Sequence, residues 1–289
     1  MKNSFKIKML NIFWYWMSER ELIYQRRKAG LAAPWTEDKI LRTYKFTNVF
    51  RMNDRVSKVL HEKVLPGIKD PADIFFAVFL FRIFNWPDTY FALEKAGLTK
   101  QWHQARAIKL LKERQKDHKI FTGAYIISNG SSTRPKIEII CEAVTEAWKI
   151  RKPSALLIED CKSLEVAANL LFDFPQVGKF VAYELVCDLR YTKLLNKAKD
   201  VNTWANLGPG ANRGLRWLIH GTTAAKKFNQ DQGQELMVRL LYLTRPQLSF
   251  GKKLELREIE HSLCEFDKYM RVKTGAGRPR SRFTATEKS

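Results

Sequence analysis

The sequence predicts an all-α fold, and three observations support this. Through most of the chain, apolar residues recur at the three- and four-residue spacing of amphipathic helices. Stretches with strand character are too few to build a large sheet. The 289 residues are 45% hydrophobic, which is enough to bury a sizeable core. We therefore expect one helical module over residues 1–272, either undivided or built as two intertwined lobes, and a basic flexible tail over residues 273–289.

The first part of the chain is expected to form five helices, beginning with an aromatic-rich amphipathic one. Thr36 is the expected N-cap of the second helix, because the acidic residues Glu37 and Asp38 follow it in the first turn. Pro71 suits the first position of the fourth helix, whose dense apolar residues predict burial, and Asn85-Trp86-Pro87-Asp88 ends it. The predicted ranges are 5–28, 36–45, 46–63, 70–84 and 98–115.

The rest of the chain begins with the one stretch of strand character, FTGAYIISNG at 121–130, followed by a polar loop. Helical periodicity then returns. Ser163 is the expected N-cap of one of these helices, and a loop is expected over 200–210. The predicted helices are 136–149, 163–172, 180–195, 211–219, 230–244 and 254–270.

The charge balance points to a polyanionic partner. Lys and Arg outnumber Asp and Glu by 51 to 30, which gives a net charge of +21. Such a surplus makes counterion release a large part of any nucleic-acid affinity. A cationic surface that only aids solubility is the alternative, but solubility does not need so much charge of one sign. We therefore expect nucleic-acid binding.

The composition also argues against several classes of protein. The four cysteines are far apart, without a C-x-x-C pair, so we expect neither disulfides nor a zinc site, and a reducing cytoplasm fits. No segment has enough uninterrupted apolar residues to span a membrane. A P-loop motif is absent, because Gly178-Lys179-Phe180 departs from it at the third position, and zincin, deaminase and nucleophile-elbow motifs are absent too. We expect no metal, no cofactor and no membrane partner.

The segment Phe174-Pro175-Gln176-Val177-Gly178-Lys179 is the most specific feature of the sequence. It lies between two predicted helices and is typical of a tight apolar turn. The amides that open the second helix would bind a DNA phosphate, with Gln176, Val177, Gly178 and Lys179 at the contact. The pattern resembles the L-P-G-V-G-x-x-T-A hairpin of helix-hairpin-helix DNA glycosylases, although Gln176 replaces the first glycine and Val181 the threonine. An ordinary helical turn in a core is the alternative.

Two aspartates are candidate catalysts. Glycosylases of this kind place a catalytic Asp roughly two dozen residues beyond the start of the hairpin motif, which arrives close to Asp200. Such a carboxylate stabilises the oxocarbenium-like sugar as the base leaves. Asp188, in an otherwise apolar helix, is the competing candidate. The structural alternatives are a helix N-cap for Asp200 and a buried ion pair with Arg190 or another arginine for Asp188.

Two further segments carry candidate DNA contacts. The turn that begins at Gly208 and Gly210 precedes a helix, with Asn212 and Arg213 beside it, and could bind a phosphate or form a pocket wall. A simple loop into a helix is the alternative. In the tail, two cations suited to phosphate or minor-groove contacts alternate with proline and an aromatic residue, and a disordered end is the alternative. These tail residues are Arg278 and Arg280.

Candidate contacts to an extruded base come from two other segments. Asn48, Arg51 and Asp54 recur every third residue, which would place them on one stripe of a predicted helix. Tyr125 and Asn129 pair an aromatic ring with an amide, as stacking on a flipped base and hydrogen bonding to it require. A buried polar network that fixes helix packing and a core strand with its turn are the respective alternatives.

Six blocks in order along nearly the whole chain resemble the family of alpha-glutamyl/putrescinyl thymine pyrophosphorylases. That family includes the helical domain of 5-hydroxymethyluracil DNA kinases and amino-acid:DNA transferases. The blocks are FTNVFRMNDRV (46–56), FRIFNWPDTY (81–90), FTGAYIISNG (121–130), FPQVGKFVAYELVCDLRYT (174–192), DVNTWANLGPGANRGL (200–215) and CEFDKYMR with GRPRSRF (264–283).

The resemblance implies a divergent helix-hairpin-helix glycosylase fold acting on hypermodified pyrimidines of phage DNA. It puts the kinase branch in doubt because no P-loop is present. By position, the resemblance supports ten of the candidate site residues: Asn48, Arg51, Asp54, Tyr125, Asn129, Asp188, Asp200, Gly208, Gly210 and Arg213. Some bacterial members excise such bases in antiviral defence. Our leading hypothesis is therefore a monomeric, cytoplasmic glycosylase that leaves an abasic site in double-stranded DNA. A transferase that displaces pyrophosphate from activated 5-hydroxymethyluracil and a non-catalytic DNA-binding module are the alternatives.

Overall fold

A computed structural model describes residues 4–122, 133–279 and 281–283, and the described part is helical. It contains no strand, which confirms the all-α prediction. None of its helices is long and apolar enough to cross a membrane. The helices are α1 Ile7–Lys28, α2 Lys39–Thr43, α3 Arg55–Val59, α4 Pro71–Phe84, α5 Pro87–Lys95, α6 Gln104–Arg114, α7 Lys136–Cys161, α8 Leu164–Phe172, α9 Lys179–Leu189, α10 Pro209–His220, α11 Gln230–Thr244 and α12 Leu256–Lys273.

The chain folds as two compact units. Unit 1 is Met1–Asp54 with Val201–Ser289, and unit 2 is Arg55–Asp200. Unit 1 is built on α10 and α12, which pack against each other, with α1 on both. Phe13 of α1 meets the ring of Phe266 edge-on at 5.2 Å. Its core is therefore assembled from chain segments at opposite ends of the sequence.

Unit 2 is built around α4, which is buried on nearly all sides and packs against α7 and α9. Asp70 caps this helix, since its Oδ1 accepts hydrogen bonds from the amides of Ala72 and Asp73 at 2.8 and 3.1 Å. Pro71 occupies its first turn, and Asn85 ends it with a left-handed φ of 48°. The cap, the proline and the burial confirm the sequence prediction for this helix.

Several predicted helix bounds in the first part of the chain were wrong. Asp38, not Thr36, caps α2, because its carboxylate accepts from the two amides of the first turn. The predicted helix 46–63 is interrupted. Residues 45–48 are irregular, Arg51–Asn53 form a 3-10 turn, and α3 begins at Arg55 and continues as a π turn over Leu60–Val64. Tertiary hydrogen bonds override helix propensity in this segment, as the contacts of Asn48 show below.

Other helices differ in length from their prediction. The range 98–115 begins with turns and becomes helical only after His103, whose ring accepts from an amide of α6, and α5 was not predicted. Helix α7 continues well past its predicted end and includes Pro153. Helix α9 stops at Leu189, six residues early. The bounds of α8 and α11 agree with prediction within a residue, because Ser163 and Asn229 cap them.

The described end of the predicted tail is bound to unit 1. Residues 281–283 pair antiparallel with the chain after α2, and the Phe283 amide donates to the Thr43 carbonyl at 2.9 Å. The Arg27 guanidinium lies 5.0 Å from the ring centre of Trp35 and 5.5 Å from that of Phe283. These contacts differ from the flexible end that composition predicts, because an arginine between two aromatic rings holds the segment.

Candidate functional site

Helices α8 and α9 pack against each other across a short turn, and we call this segment the hairpin. The side chain of Val177 in the turn is 3% exposed. Phe174 packs against Phe75 and Phe79 of α4, with ring centres 5.9 and 5.8 Å apart. Gln176 adopts the left-handed conformation, with φ 63°, at the position where the glycosylase pattern has glycine. The turn is therefore anchored in the core of unit 2 by its apolar residues.

The start of α9 is suited to an external ligand. Gly178 is its N-cap residue and has no side chain that could accept from the first amides of the helix. A Cβ at Gly178 would meet nothing within 4 Å, and its φ of −76° is open to any residue. Neither packing nor backbone conformation therefore requires glycine here. A glycine at position 178 would allow an external group, such as a phosphate, to approach the helix N-terminus closely.

Asp200 binds to this hairpin at the start of α8. Its Oδ1 accepts from the Leu164 amide at 2.8 Å, and its Oδ2 accepts from the Glu165 amide at 3.0 Å and the Ser163 hydroxyl at 2.7 Å. The carboxylate is half-buried. A capping role was the structural alternative for Asp200, and the structure shows capping, but of α8. The negative charge is thereby held in a fixed place beside the hairpin.

Asp188 lies in a buried ion pair within unit 2. Its carboxylate is 1% exposed and accepts from Arg82 Nε at 2.7 Å and Nη2 at 2.9 Å. Arg82 Nη1 donates to Asn85 at 2.8 Å, and His61 Nε2 lies 3.8 Å from the carboxylate. This is the structural alternative that the sequence left open, with Arg82 as a partner. We expect this ion pair to stabilise unit 2, and a catalytic role for Asp188 stays a prediction.

The segment after Gly208 makes contacts inside unit 1. A Cβ at Gly210 would lie 3.1 Å from that of Cys264 and closer still to its sulfur, so this glycine allows α10 to approach α12. The buried Asn212 donates to the Phe228 carbonyl at 2.7 Å. Arg213 Nε forms an ion pair with the buried Asp267 at 2.7 Å. These contacts give Gly210, Asn212 and Arg213 packing and loop-holding roles, and the phosphate site or pocket wall at this turn stays a prediction.

Asn48 and Asp54 meet through a turn and do not form the predicted helical stripe. Asp54 Oδ1 accepts from the backbone amide and the side-chain amide of Asn48, at 2.9 and 3.0 Å. Arg20 Nη2 donates to Asn48 Oδ1 at 2.7 Å, and Arg51 is 5% exposed nearby. The side chains of Asn48 and Asp54 are close together, as predicted, but they meet across the 3-10 turn and not along one face of a helix.

Helix α12 adds residues to this group that the sequence did not single out. His261 Nε2 lies 2.6 Å from Thr47 Oγ1 and 4.0 Å from Asp54 Oδ2. Glu265 accepts from the Thr47 amide at 3.1 Å. Burial raises the pKa of Asp54 and lowers that of His261, so the imidazole is neutral at neutral pH. In the sequence, the spacing of Glu258, His261 and Glu265 places them on one face of a helix, and this pattern could have identified them as candidate site residues.

We call this group the polar cluster of unit 1. It consists of Arg20, Thr47, Asn48, Arg51, Asp54, His261 and Glu265. Asp54 and His261 keep 24% and 15% of their side chains exposed, so solvent reaches both. A carboxylate and an imidazole with perturbed pKa values in a partly open position make the cluster a candidate functional site.

Glu258 makes stability depend on pH. The side chain is 2% exposed and accepts from the Glu255 amide at 3.1 Å, and burial raises its pKa to about 7 from the ordinary 4.5. Between pH 4.5 and about 7, the Glu258 carboxyl is deprotonated in the unfolded chain but stays protonated in the folded chain. The contribution of Glu258 to the free energy of unfolding is therefore complete below pH 4.5 and is lost as the pH rises through 7. In urea unfolding, we expect the decrease in the free energy of unfolding over this pH range to be smaller by about 2–3 kcal/mol in Glu258→Gln than in the parent protein. An unchanged pH dependence would contradict the burial effect.

Some predicted site residues have no described contact. Tyr125, Asn129 and Arg280 lie outside the described residues. Arg278 is exposed, as is Lys179, whose ammonium lies 5.9 Å from the ring centre of Phe172. Across the described ranges, no group of three or more His, Cys, Asp or Glu side chains is placed to hold a metal ion.

Comparison with known proteins gives one family. A family model described as "5-hmdU DNA kinase, helical domain" matches residues 7–278. The 5-hmdU DNA kinase of Bacillus phage SP10 is 26% identical over 291 aligned positions, which cover 87% of this chain and 43% of that protein. The chain thus spans less than half the length of this relative. No solved structure matches.

Proposed function

Because the chain belongs to the family of 5-hmdU DNA kinase helical domains, we propose that it acts on modified pyrimidine bases in DNA. The reaction we propose is excision of the base by hydrolysis of its glycosidic bond, in defence against phages with hypermodified DNA. The observation that supports this best is the turn between α8 and α9, where the N-cap residue Gly178 has no side chain and leaves space for a phosphate at the helix start.

Binding would rest on charge and on the hairpin. The net charge of +21 draws duplex DNA to the chain, and its contribution falls as salt rises. The backbone amides of the first turn of α9 fix the register on one strand, with Lys179 as an added cation. A monomer provides all of these contacts. Base flipping would then expose the glycosidic bond of the modified nucleotide.

The proposed catalyst is Asp200. As the bond between C1′ and the base breaks, positive charge develops on the sugar, and a fixed carboxylate stabilises it. Water then adds to C1′, its proton goes to the departing base, and an abasic site remains. Asp188 is the weaker candidate, because Arg82 engages both of its oxygens in the core. Asn48, Arg51 and Asp54 stay proposed hydrogen-bonding partners of the modified base.

A paired substitution separates catalysis by Asp200 from capping. Asp200→Asn removes the charge but keeps an oxygen for the α8 amides, so we expect folding to persist and base release to fall by about 100-fold or more. Ser163→Ala removes the hydroxyl that donates to Asp200 at 2.7 Å and accepts from the Val166 amide at 3.2 Å, and it should change release less than about threefold. Release is measured by mass spectrometry of free bases from phage DNA that carries 5-hydroxymethyluracil or its derivatives. Equal losses in both variants would assign Asp200 to capping alone.

The same measurement decides between reaction classes. Glycosylase activity gives free base and abasic sites. A transferase would instead leave a base of higher mass in the DNA, and a binding module would leave the DNA unchanged. Either of these outcomes with folded, DNA-binding protein would overturn the proposed hydrolysis.

A further inference from the structure

Unit 1 has an open recess at the loop between α10 and α11. It has a volume of about 480 Å³, which is within the range of small-ligand sites. His220, Lys226, Lys227 and Phe228 line it, together with Ala225, Asn229 and Gln232. None of its lining residues belongs to the α8–α9 segment or to the polar cluster, and none has a role in the proposed excision.

The loop that forms the recess is held by two buried side chains of α10. Arg216 Nη1 donates to the Ala225 carbonyl at 2.9 Å and also to the Thr223 carbonyl. Asn212, one helical turn earlier, donates to the Phe228 carbonyl at 2.7 Å and accepts from its amide at 3.4 Å. Burying a guanidinium costs desolvation free energy, and here it fixes an exposed loop. A loop fixed in advance binds a ligand with less loss of conformational entropy.

The recess combines cations with aromatic rings. Lys226 and Lys227 are exposed, and in the described part of the chain neither ammonium has an acidic partner within ion-pair distance. A third ammonium, that of Lys6, donates to the His220 carbonyl at 2.7 Å. The rings of His220 and Phe228 lie nearly parallel, with centres 5.9 Å apart.

The start of α11 adds no anion site of its own. Asn229 and Gln232 form a capping box, in which the Asn229 side chain accepts from the Gln232 amide at 2.9 Å. An anion in the recess would therefore be bound by the lysine side chains. Lysine ammonium groups next to stackable rings are the groups that bind the phosphate and the base of a nucleotide.

We propose that this recess binds a nucleotide of a DNA strand, with Lys226 and Lys227 at a phosphate and the half-buried His220 ring, which packs on the buried Phe228, at a base. This inference rests on the proposed action on DNA, but it concerns a separate contact. Unit 1 would thus make its own contact with the DNA strand.

The test measures binding by the full chain, without catalysis. The double variant Lys226→Gln/Lys227→Gln is compared with Lys252→Gln/Lys253→Gln, which removes the same charge from two exposed neighbours in unit 1. Fluorescence anisotropy with labelled single-stranded and duplex oligonucleotides gives the affinity over a range of salt concentrations. We expect the recess variant to bind about 10-fold more weakly, with a salt slope reduced by about 1–2, and the control to change by less than about threefold.

A second variant tests the ring pair. His220→Ala should weaken single-stranded binding by about 10-fold with an unchanged salt slope, since stacking releases no counterions. Equal losses in the two lysine pairs would reduce the recess to general electrostatic attraction and overturn the inference. Competition by free thymidine monophosphate as strong as by the oligonucleotide would also overturn it, in favour of a free-nucleotide site. Because binding is scored alone, absence of base release would count against the proposed function and leave this result intact.

Discussion

Arg82→Met is expected to destabilise unit 2 by about 3–5 kcal/mol, because it leaves the Asp188 carboxylate buried without its main partner. That carboxylate is 1% exposed and receives two hydrogen bonds from the guanidinium, and Asn85 loses a donor as well. The methionine side chain fills most of the volume, so the effect reports lost charge compensation more than a cavity. Urea unfolding, followed by circular dichroism, measures the loss.

The control for this change removes both charges. Arg82→Met combined with Asp188→Leu eliminates the unpaired carboxylate and should recover at least half of the stability that Arg82→Met loses. A single variant that unfolds at the same urea concentration as the parent protein would show that the pair contributes little. If the single variant does not fold, the double variant still shows whether the unpaired charge is the cause.

Gly214→Ala is expected to destabilise unit 1 by about 2–3 kcal/mol, through overpacking between α10 and α12. A Cβ at this position would lie 2.8 Å from the backbone carbonyl carbon of Leu263 and 2.9 Å from its Cβ. Backbone atoms of a packed helix cannot move aside as the end of a flexible side chain can. The intrinsic gain of replacing glycine by alanine in a helix, about 1 kcal/mol, should not offset this contact.

The matched control is the same substitution where space is open. Gly178→Ala adds a Cβ that meets nothing within 4 Å, so its stability should stay within about 1 kcal/mol of the parent protein. Thermal unfolding of both variants measures the contrast. A Gly214→Ala protein as stable as the parent, or more stable, would contradict the close approach of the two helices.

The predictable parts of the fold are those whose signals are local. Helices α4, α8 and α11 begin at Asp70, Ser163 and Asn229, where a short side chain caps the next amides, and their ranges agree with the sequence prediction. The prediction of a continuous helix over 46–63 was wrong because Asn48 and Asp54 bind each other across a turn. The apolar periodicity of the segment does not indicate such a contact.

The candidate site was predictable in its residues more than in their roles. The hairpin, Asp200 and the Asn48–Asp54 group were found from spacing, but which partners they bind depends on distant segments. His261 joins the group through Thr47, 214 residues away in the sequence. Gly210 has the sequence context of a phosphate turn, and only the position of Cys264 shows that it serves helix packing.

The division of unit 1 between the two ends of the chain sets an order of events during synthesis. All of unit 2, from Arg55 to Asp200, emerges from the ribosome before the second segment of unit 1 emerges. Asp38 accepts a hydrogen bond from the Tyr269 hydroxyl at 2.7 Å, and this partner is synthesised 231 residues later. Until then the apolar face of α1, with Phe13 and Trp16, has no α12 to cover it. The nascent protein therefore carries a finished unit 2 beside an exposed N-terminal segment, and that segment is where chaperone binding and aggregation would concentrate.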